Sequence, residues 1–267
     1  MKSLDRTKAS FAVVGVSRSG TQSLGHCLTR HPLIELCDQD KSGYFAKDKY
    51  FELGTPCPLL YEPKDSMNRE NVIWGDICPD YVFKSQSIAR LCHYNPGIKL
   101  ITILRNPAER AYSHWQKATI DGFERRPFMT AIEDELEVRL KSYSNKDQLN
   151  EPSTTYLARS QYGDQIHALF QYFDPHQLLF IRSEDLKYDT EVTLYQIFQF
   201  LSVPFEQVDC TAQNIGFYNE SISPTDYNSV LRLVEKDIYQ IEELLGWNCN
   251  EWLRPLNVRR PMETFFA

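Results

Sequence analysis

Two stretches of this sequence have the residue types and spacing to do chemistry, and both read as anion sites. The first is Gly15-Val16-Ser17-Arg18-Ser19-Gly20-Thr21-Gln22-Ser23, which follows the β-rich run Phe11 to Val16. Leu24, Cys27 and Leu28 come next, at i, i+3 and i+4, as one face of a helix. A strand, a loop of small residues and a helix N-terminus in succession present backbone N–H groups and a positive dipole end to an anion, and glycines let the backbone come close. Arg18 is the loop's cation, a fixed charge carrying a fork of donors. The second stretch is the nearly continuous apolar run Lys99 to Leu104, of the kind found in a central parallel strand, ending at Arg105-Asn106-Pro107. Pro107 is placed to open a helix. A cation at the carboxyl end of a buried strand stands where open α/β sheets bind their ligands.

What these stretches lack narrows the chemistry. Gly15 and Gly20 match the GxxxxG of an ATP- or GTP-binding loop, yet Thr21-Gln22 stands where that loop needs Lys and Ser/Thr. Metal-dependent phosphoryl transfer also wants an acidic residue after the second strand, and the sequence delivers Arg105. Both observations disfavour a nucleotide kinase.

The elements that must position these groups follow from length and pattern. A chain of 267 residues, 42% hydrophobic and 13% aromatic, can bury a full core and is expected to form one α/β domain over 1–267, a P-loop-like central parallel sheet flanked by helices. The first helix ends near His31-Pro32, and Leu33 to Cys37 suits a second strand. Residues 38–72, rich in proline, glycine, charge and aromatics, form an irregular excursion, as does the polar stretch 143–155. Trp74 to Tyr81 reads as a proline-punctuated loop leading to a helix around Ser87 to Leu91. Further helices are expected over Phe128 to Tyr143, Tyr156 to Phe173, Thr190 to Leu201 and Thr225 to Leu245, with a strand at Gln177 to Ile181.

Charge and cysteine usage bound the setting. The net charge of −7 argues against nucleic acid and against polyanionic glycans, and favours a neutral or cationic small-molecule acceptor. The polar N-terminus and the absence of a long apolar run point to a cytoplasmic protein without a membrane partner. Seven scattered cysteines match neither a zinc pattern nor a secreted disulfide framework, and are read as reduced core residues. Nothing in the sequence fixes an oligomeric state.

Taken together, the loop SRSGTQS after a hydrophobic strand and the motif LRNPAERAYSHW resemble the two phosphate-binding motifs of sulfotransferases that use 3′-phosphoadenosine 5′-phosphosulfate (PAPS). Gly75-Asp76-Ile77-Cys78-Pro79-Asp80-Tyr81 is similar to the GEKTPxY loop of the heparan-sulfate-type and bacterial small-molecule branch. The likeness continues through Tyr162-Gly163-Asp164-Gln165 and Gln177 to Leu186, so it covers most of the chain. It implies a sulfotransferase fold, PAPS as co-substrate with its 3′,5′-bisphosphate (PAP) as product, and no metal. Ser17, Arg18, Ser19, Gly20, Thr21, Gln22 and Ser23 would hold the 5′-phosphosulfate, and Arg105 and Ser113 the 3′-phosphate.

Departures from the family pattern fall on acceptor activation. The KExxFF stretch of this branch supplies a glutamate base, but here Asp40-Lys41-Ser42-Gly43-Tyr44-Phe45 lies over it and Lys41 takes the glutamate's place. Ile77 replaces the lysine of GEKTPxY, and Arg18 replaces that of the first loop. A base must then be found among neighbouring carboxylates. Asp40, beside the lost glutamate, and Asp76, in the acidic place of the GEKTPxY-like loop, are the candidates, with Arg18 as the group that stabilises the leaving oxygen. The reaction expected is sulfuryl transfer to a hydroxyl or amine of a bacterial secondary metabolite. Asp38, Asp40, Asp76 and Asp80 would suit a cationic one. A nucleotide-dependent kinase and a non-catalytic PAPS-binding relative are the alternatives.

Overall fold

The structure, a computed structural model, describes residues 8–37, 43–48, 71–144, 155–210 and 221–256. Its contacts divide the chain into two compact units, 1–105 with 164–216, and 106–163 with 217–267.

The first unit is built on five parallel strands, β1 (Phe11–Gly15), β2 (Ile34–Leu36), β3 (Ile73–Ile77), β4 (Lys99–Leu104) and β5 (Leu178–Arg182), in the order β2-β3-β1-β4-β5. Every residue of β1 is buried, as expected of a central strand covered on both faces. Phe11, Val13, Ile101, Ile103 and Ile181 form an apolar core with Leu24 and Leu28 of α1 (Thr21–Leu28). Leu186 of α6 (Ser183–Tyr188) and Leu194, Ile197 and Phe198 of α7 (Thr190–Leu201) complete it. The unit also holds α2 (Ser85–Tyr94) and, from Asp164 on, α5 (Gly163–Tyr172). From β1 the chain crosses to the edge strand β2 and returns to β3 on one side, whereas β4 and β5 lie on the other. The crevice between the carboxyl ends of β1 and β4 is therefore the topological switch point, the place such sheets reserve for ligands.

β3 corrects the reading of Trp74 to Tyr81 as a loop, because Ile73–Ile77 is a strand between β2 and β1. Its Gly75-Asp76 pair breaks the apolar pattern, which hid it. The glycine has a packing reason: it pairs with Phe11, and a Cβ there would collide with the Phe11 ring. Reduced cysteines were also expected throughout, yet Cys27 and Cys210 are joined by a disulfide across 183 residues of sequence, with Cα atoms 5.0 Å apart. Cys37, Cys78, Cys92 and Cys249 are free thiols, and Cys57 lies outside the described residues.

The second unit comprises α3 (Pro107–Ile120), α4 (Phe128–Ser144), α8 (Pro224–Leu245) and α9 (Asn250–Leu253), with α3 packed on α8. Asn106 caps α3, its side-chain oxygen accepting from the Ala108 and Glu109 N–H groups with Pro107 opening the helix. Ser223 caps α8 in the same manner. Residues 156–162 were expected to be helical. They form an irregular segment with a 3-10 turn (Ala158–Ser160) before the helix that starts at Gly163. Charged side chains hold this segment. Glu135 accepts from the Leu157 and Ala158 N–H groups at 2.8 and 2.7 Å. Arg110, wholly buried, donates to Ser160 Oγ at 2.7 Å and to the Tyr156 carbonyl. Asp237 accepts from the Tyr162 and Gly163 N–H groups. Among the described residues no helix is long and apolar enough to cross a membrane.

Candidate active site

The loop after β1 is shaped by two left-handed residues. Gly20, the N-cap of α1, has φ 101°, which glycine adopts freely, and no side chain caps the first turn of the helix. Arg18 has φ 74°, uncommon for a residue with a side chain and costing on the order of 1–3 kcal/mol, a conformation that clusters at ligand sites. Pairing of β1 with β4 shifts register between Val13 and Gly15, after which the Val16 N–H donates to the Ile103 carbonyl at 2.9 Å. The loop thus leaves directly over the end of β4.

Arg105 at that end points its guanidinium back to the loop, donating from Nη1 to the Arg18 carbonyl at 3.4 Å. The Arg105 side chain is thus tied to the loop backbone at Arg18. Ser19 is 1% exposed, and among the described residues its hydroxyl has no hydrogen-bond partner. Thr21 is buried, Gln22 exposed, and Ser17 and Ser23 half-buried. Ser113 is buried on α3 in the second unit. Next to it, the His114 ring meets Tyr156 edge-on at 5.0 Å.

Of the two candidate bases, Asp40 lies outside the described residues. Asp76 sits on β3 opposite Ala12 and is 1% exposed. Its Oδ1 accepts from the Ile77 N–H at 2.8 Å and its Oδ2 accepts from the Tyr81 hydroxyl. Burial, and next the neighbouring Asp76 carboxylate, push the Tyr81 phenol far above its ordinary range, so it stays protonated and donating. Burial also pushes the Cys78 thiol up to about 12, which keeps it from acting as a nucleophile.

The turn Tyr44–Ala46 is anchored from α2 and its N-cap Lys84. Arg90 donates to the Phe45 carbonyl at 3.0 Å and pairs with Asp48 at 2.7 Å, while Lys84 reaches the Ala46 carbonyl at 3.3 Å. These cations fix the turn Tyr44–Ala46, whose Phe45 ring packs edge-on against Tyr81 at 5.8 Å. Sequence reasoning did not find the bonds of Lys84 and Arg90 to this turn, since a carbonyl partner leaves no trace in a one-dimensional pattern.

A five-stranded parallel sheet flanked by helices, with a small-residue loop after its central strand, defines an α/β protein. Within that class the chain belongs to the sulfotransferase family: the family described as Sulfotransferase domain matches residues 8–236, a span running through both units. Among curated proteins it is similar to human bifunctional heparan sulfate N-deacetylase/N-sulfotransferase 3, 24% identical over 76% of this chain and 23% of that protein. It is also similar to mouse heparan sulfate glucosamine 3-O-sulfotransferase 5, 23% identical over 72% of this chain and 53% of that one. The chain thus spans about half, or less, of these relatives' lengths. Among solved structures, a sulfotransferase from Alicyclobacillus acidocaldarius superposes with a TM-score of 0.76 at 22% identity, covering 92% of this chain and 99% of that one. The sulfotransferase domain of the Synechococcus PCC 7002 olefin synthase follows at 0.56 and 16%, covering 90% and 95%. Both likenesses are of fold.

Proposed function

We propose that the protein transfers a sulfuryl group from PAPS to a hydroxyl or amine of a small-molecule acceptor, and that residues 1–267 act as a single sulfotransferase domain. The observation that carries this reading is the hydrogen bond from the Arg105 guanidinium at the end of β4 to the Arg18 carbonyl of the loop after β1. In this reading the loop from Ser17 to Ser23 cradles the 5′-phosphosulfate with backbone and hydroxyl donors. Arg105 and Ser113 take the 3′-phosphate, which ATP lacks, through a charge-assisted fork and a hydroxyl.

The acceptor's oxygen or nitrogen attacks sulfur in line, the sulfur–oxygen bond to the 5′-phosphate breaks, and its electron pair stays on the departing PAP. Arg18 and the loop amides stabilise that developing charge, preorganised and without covalent attachment to the enzyme. The acceptor's proton passes to a carboxylate, for which Asp40 is the residue to test. A net charge of −7 supports a neutral or cationic acceptor over a polyanionic glycan.

Two measurements test the proposal. Isothermal titration of PAP into the full chain should give saturable binding that Arg105→Ala weakens by about tenfold or more. Incubation with PAPS and a panel of hydroxyl- and amine-bearing metabolites, read by mass spectrometry, should give a sulfated product. Binding of magnesium-ATP with none of PAP would turn the reading to a kinase.

A further inference from the structure

Asp76 and Tyr81 are almost wholly buried, 1% and 0% exposed, yet they are a carboxylate and a phenol. Polar groups at such depth are kept where their bond fixes a geometry that packing alone leaves loose. The segment they close is short: Asp76 is the last but one residue of β3, and Tyr81 reaches back to it over Ile77, Cys78, Pro79 and Asp80. Both ends of that segment are laid on β1. The Cys78 N–H donates to the Val13 carbonyl at 3.0 Å, and the Val82 N–H donates to the Val14 carbonyl at 3.0 Å. Val82 presses on Gly15 so closely that a Cβ there would collide with it. The next residues of β1's chain are the 5′-loop itself. Tyr81 meanwhile packs against Phe45 in the turn that Arg90 and Lys84 hold from α2.

We propose that Asp76 and Tyr81 are a pair of positioning residues: their hydrogen bond clamps the Cys78–Val82 segment onto the last residues of β1 and so sets the exit of the Ser17–Ser23 loop. The inference rests on reading that loop as the PAP and PAPS site. It gives Asp76 a part other than the proton acceptor considered from sequence. Both of its oxygens already accept hydrogen bonds inside the protein, Oδ1 from the Ile77 N–H and Oδ2 from the Tyr81 hydroxyl.

The test is PAP titration into the full chain and its Tyr81→Phe, Asp76→Asn and Asp76→Ala variants, with amide hydrogen exchange followed over 16–23 and, as reference, over β4 and β5. Positioning predicts that Tyr81→Phe and Asp76→Ala weaken PAP about tenfold, the scale of a buried polar group left without its partner. Exchange over 16–23 should rise in both while β4 and β5 stay protected. Asp76→Asn keeps an oxygen for the Tyr81 hydroxyl and should restore PAP affinity to within about threefold of wild type. A base role predicts the reverse pattern: PAP affinity unchanged in all three variants, with sulfate transfer lost in Asp76→Asn. That pattern overturns the proposal, as does equal weakening by Asn and Ala. Should Tyr81→Phe fail to fold, the Asn and Ala pair decides alone. Wild-type protein that binds no PAP removes the parent reading, and this proposal with it.

Discussion

Two pieces of backbone that carry function-bearing residues are held by opposite means. The loop after β1 hangs from an apolar sheet: its shape comes from the β1–β4 register, a glycine and an arginine in left-handed conformations, and a core of aliphatic side chains. Residues 156–163 of the second unit, besides burying Tyr156, Leu157 and Tyr162, are held by charged side chains, Arg110, Glu135 and Asp237, with Glu124 on the Tyr156 hydroxyl. The first scheme carries its charged residue, Arg18, half-buried on the loop, where the proposed function sets it against the 5′-phosphosulfate. The second consumes its charges internally. Removing a charge should therefore cost activity in one place and stability in the other.

The sharpest way to break this comparison is to exchange the two arginines for alanine. Arg110→Ala removes a fully buried cation from Ser160 and the Tyr156 carbonyl, and should cost about 3–5 kcal/mol in urea unfolding. Arg18→Ala should leave the urea midpoint nearly unchanged and lower sulfate transfer on the order of 10²–10³-fold. Equal losses of stability in both would erase the distinction.

A covalent link sharpens the comparison within the sheet unit itself. Cys27 near the end of α1 is tied to Cys210, closing a loop of 183 residues in sequence separation. Reduction, or Cys210→Ser, should lower stability by about 2–4 kcal/mol, chiefly by freeing the unfolded chain. Alkylation and peptide mapping of the unreduced protein check the pairing, and labelling of both cysteines there would count against it.

How much of this could be read in one dimension differs between the two regions for the same reason. Apolar burial writes itself into periodicity: Lys99–Leu104 and Thr190–Leu201 fall where the pattern puts them, and Pro107 opens its helix. The anion loop was legible because its shape needs glycine and small residues at fixed spacing. β3 was not, since Gly75 yields its side-chain space to Phe11 and Asp76 is a polar residue in a buried strand. The segment before Gly163 was misread as helix because its bonds run to Glu135, Arg110 and Asp237, residues distant in sequence whose charges look like an ordinary solvated face. The Cys27–Cys210 pair is illegible on the same ground.

The smallest expected effect is a dependence on pH that belongs to the second unit alone. Glu124 is held by the Arg126 side chain first, and also by the Arg125 and Arg126 N–H groups and the Tyr156 hydroxyl, against the cost of burial. Its carboxyl is thereby lowered from 4.5 to about 2. A lowered carboxyl contributes stability that is whole above its unfolded value and drains away as pH falls from 4.5 towards 2. Glu135 has the opposite sign, because burial outweighs its two N–H donors and raises its carboxyl, so its contribution weakens as pH rises above 4.5. Glu124→Gln should thus flatten the acid side of a stability profile, and Glu135→Gln should leave that side unchanged while removing the loss on the other. The backbone around Arg18 leans on no buried carboxylate of this network, so hydrogen exchange in β1 and β4 should stay protected at a pH where 156–163 begins to open. Simultaneous opening of both regions on acidification would mean that charge holds the sheet unit as well.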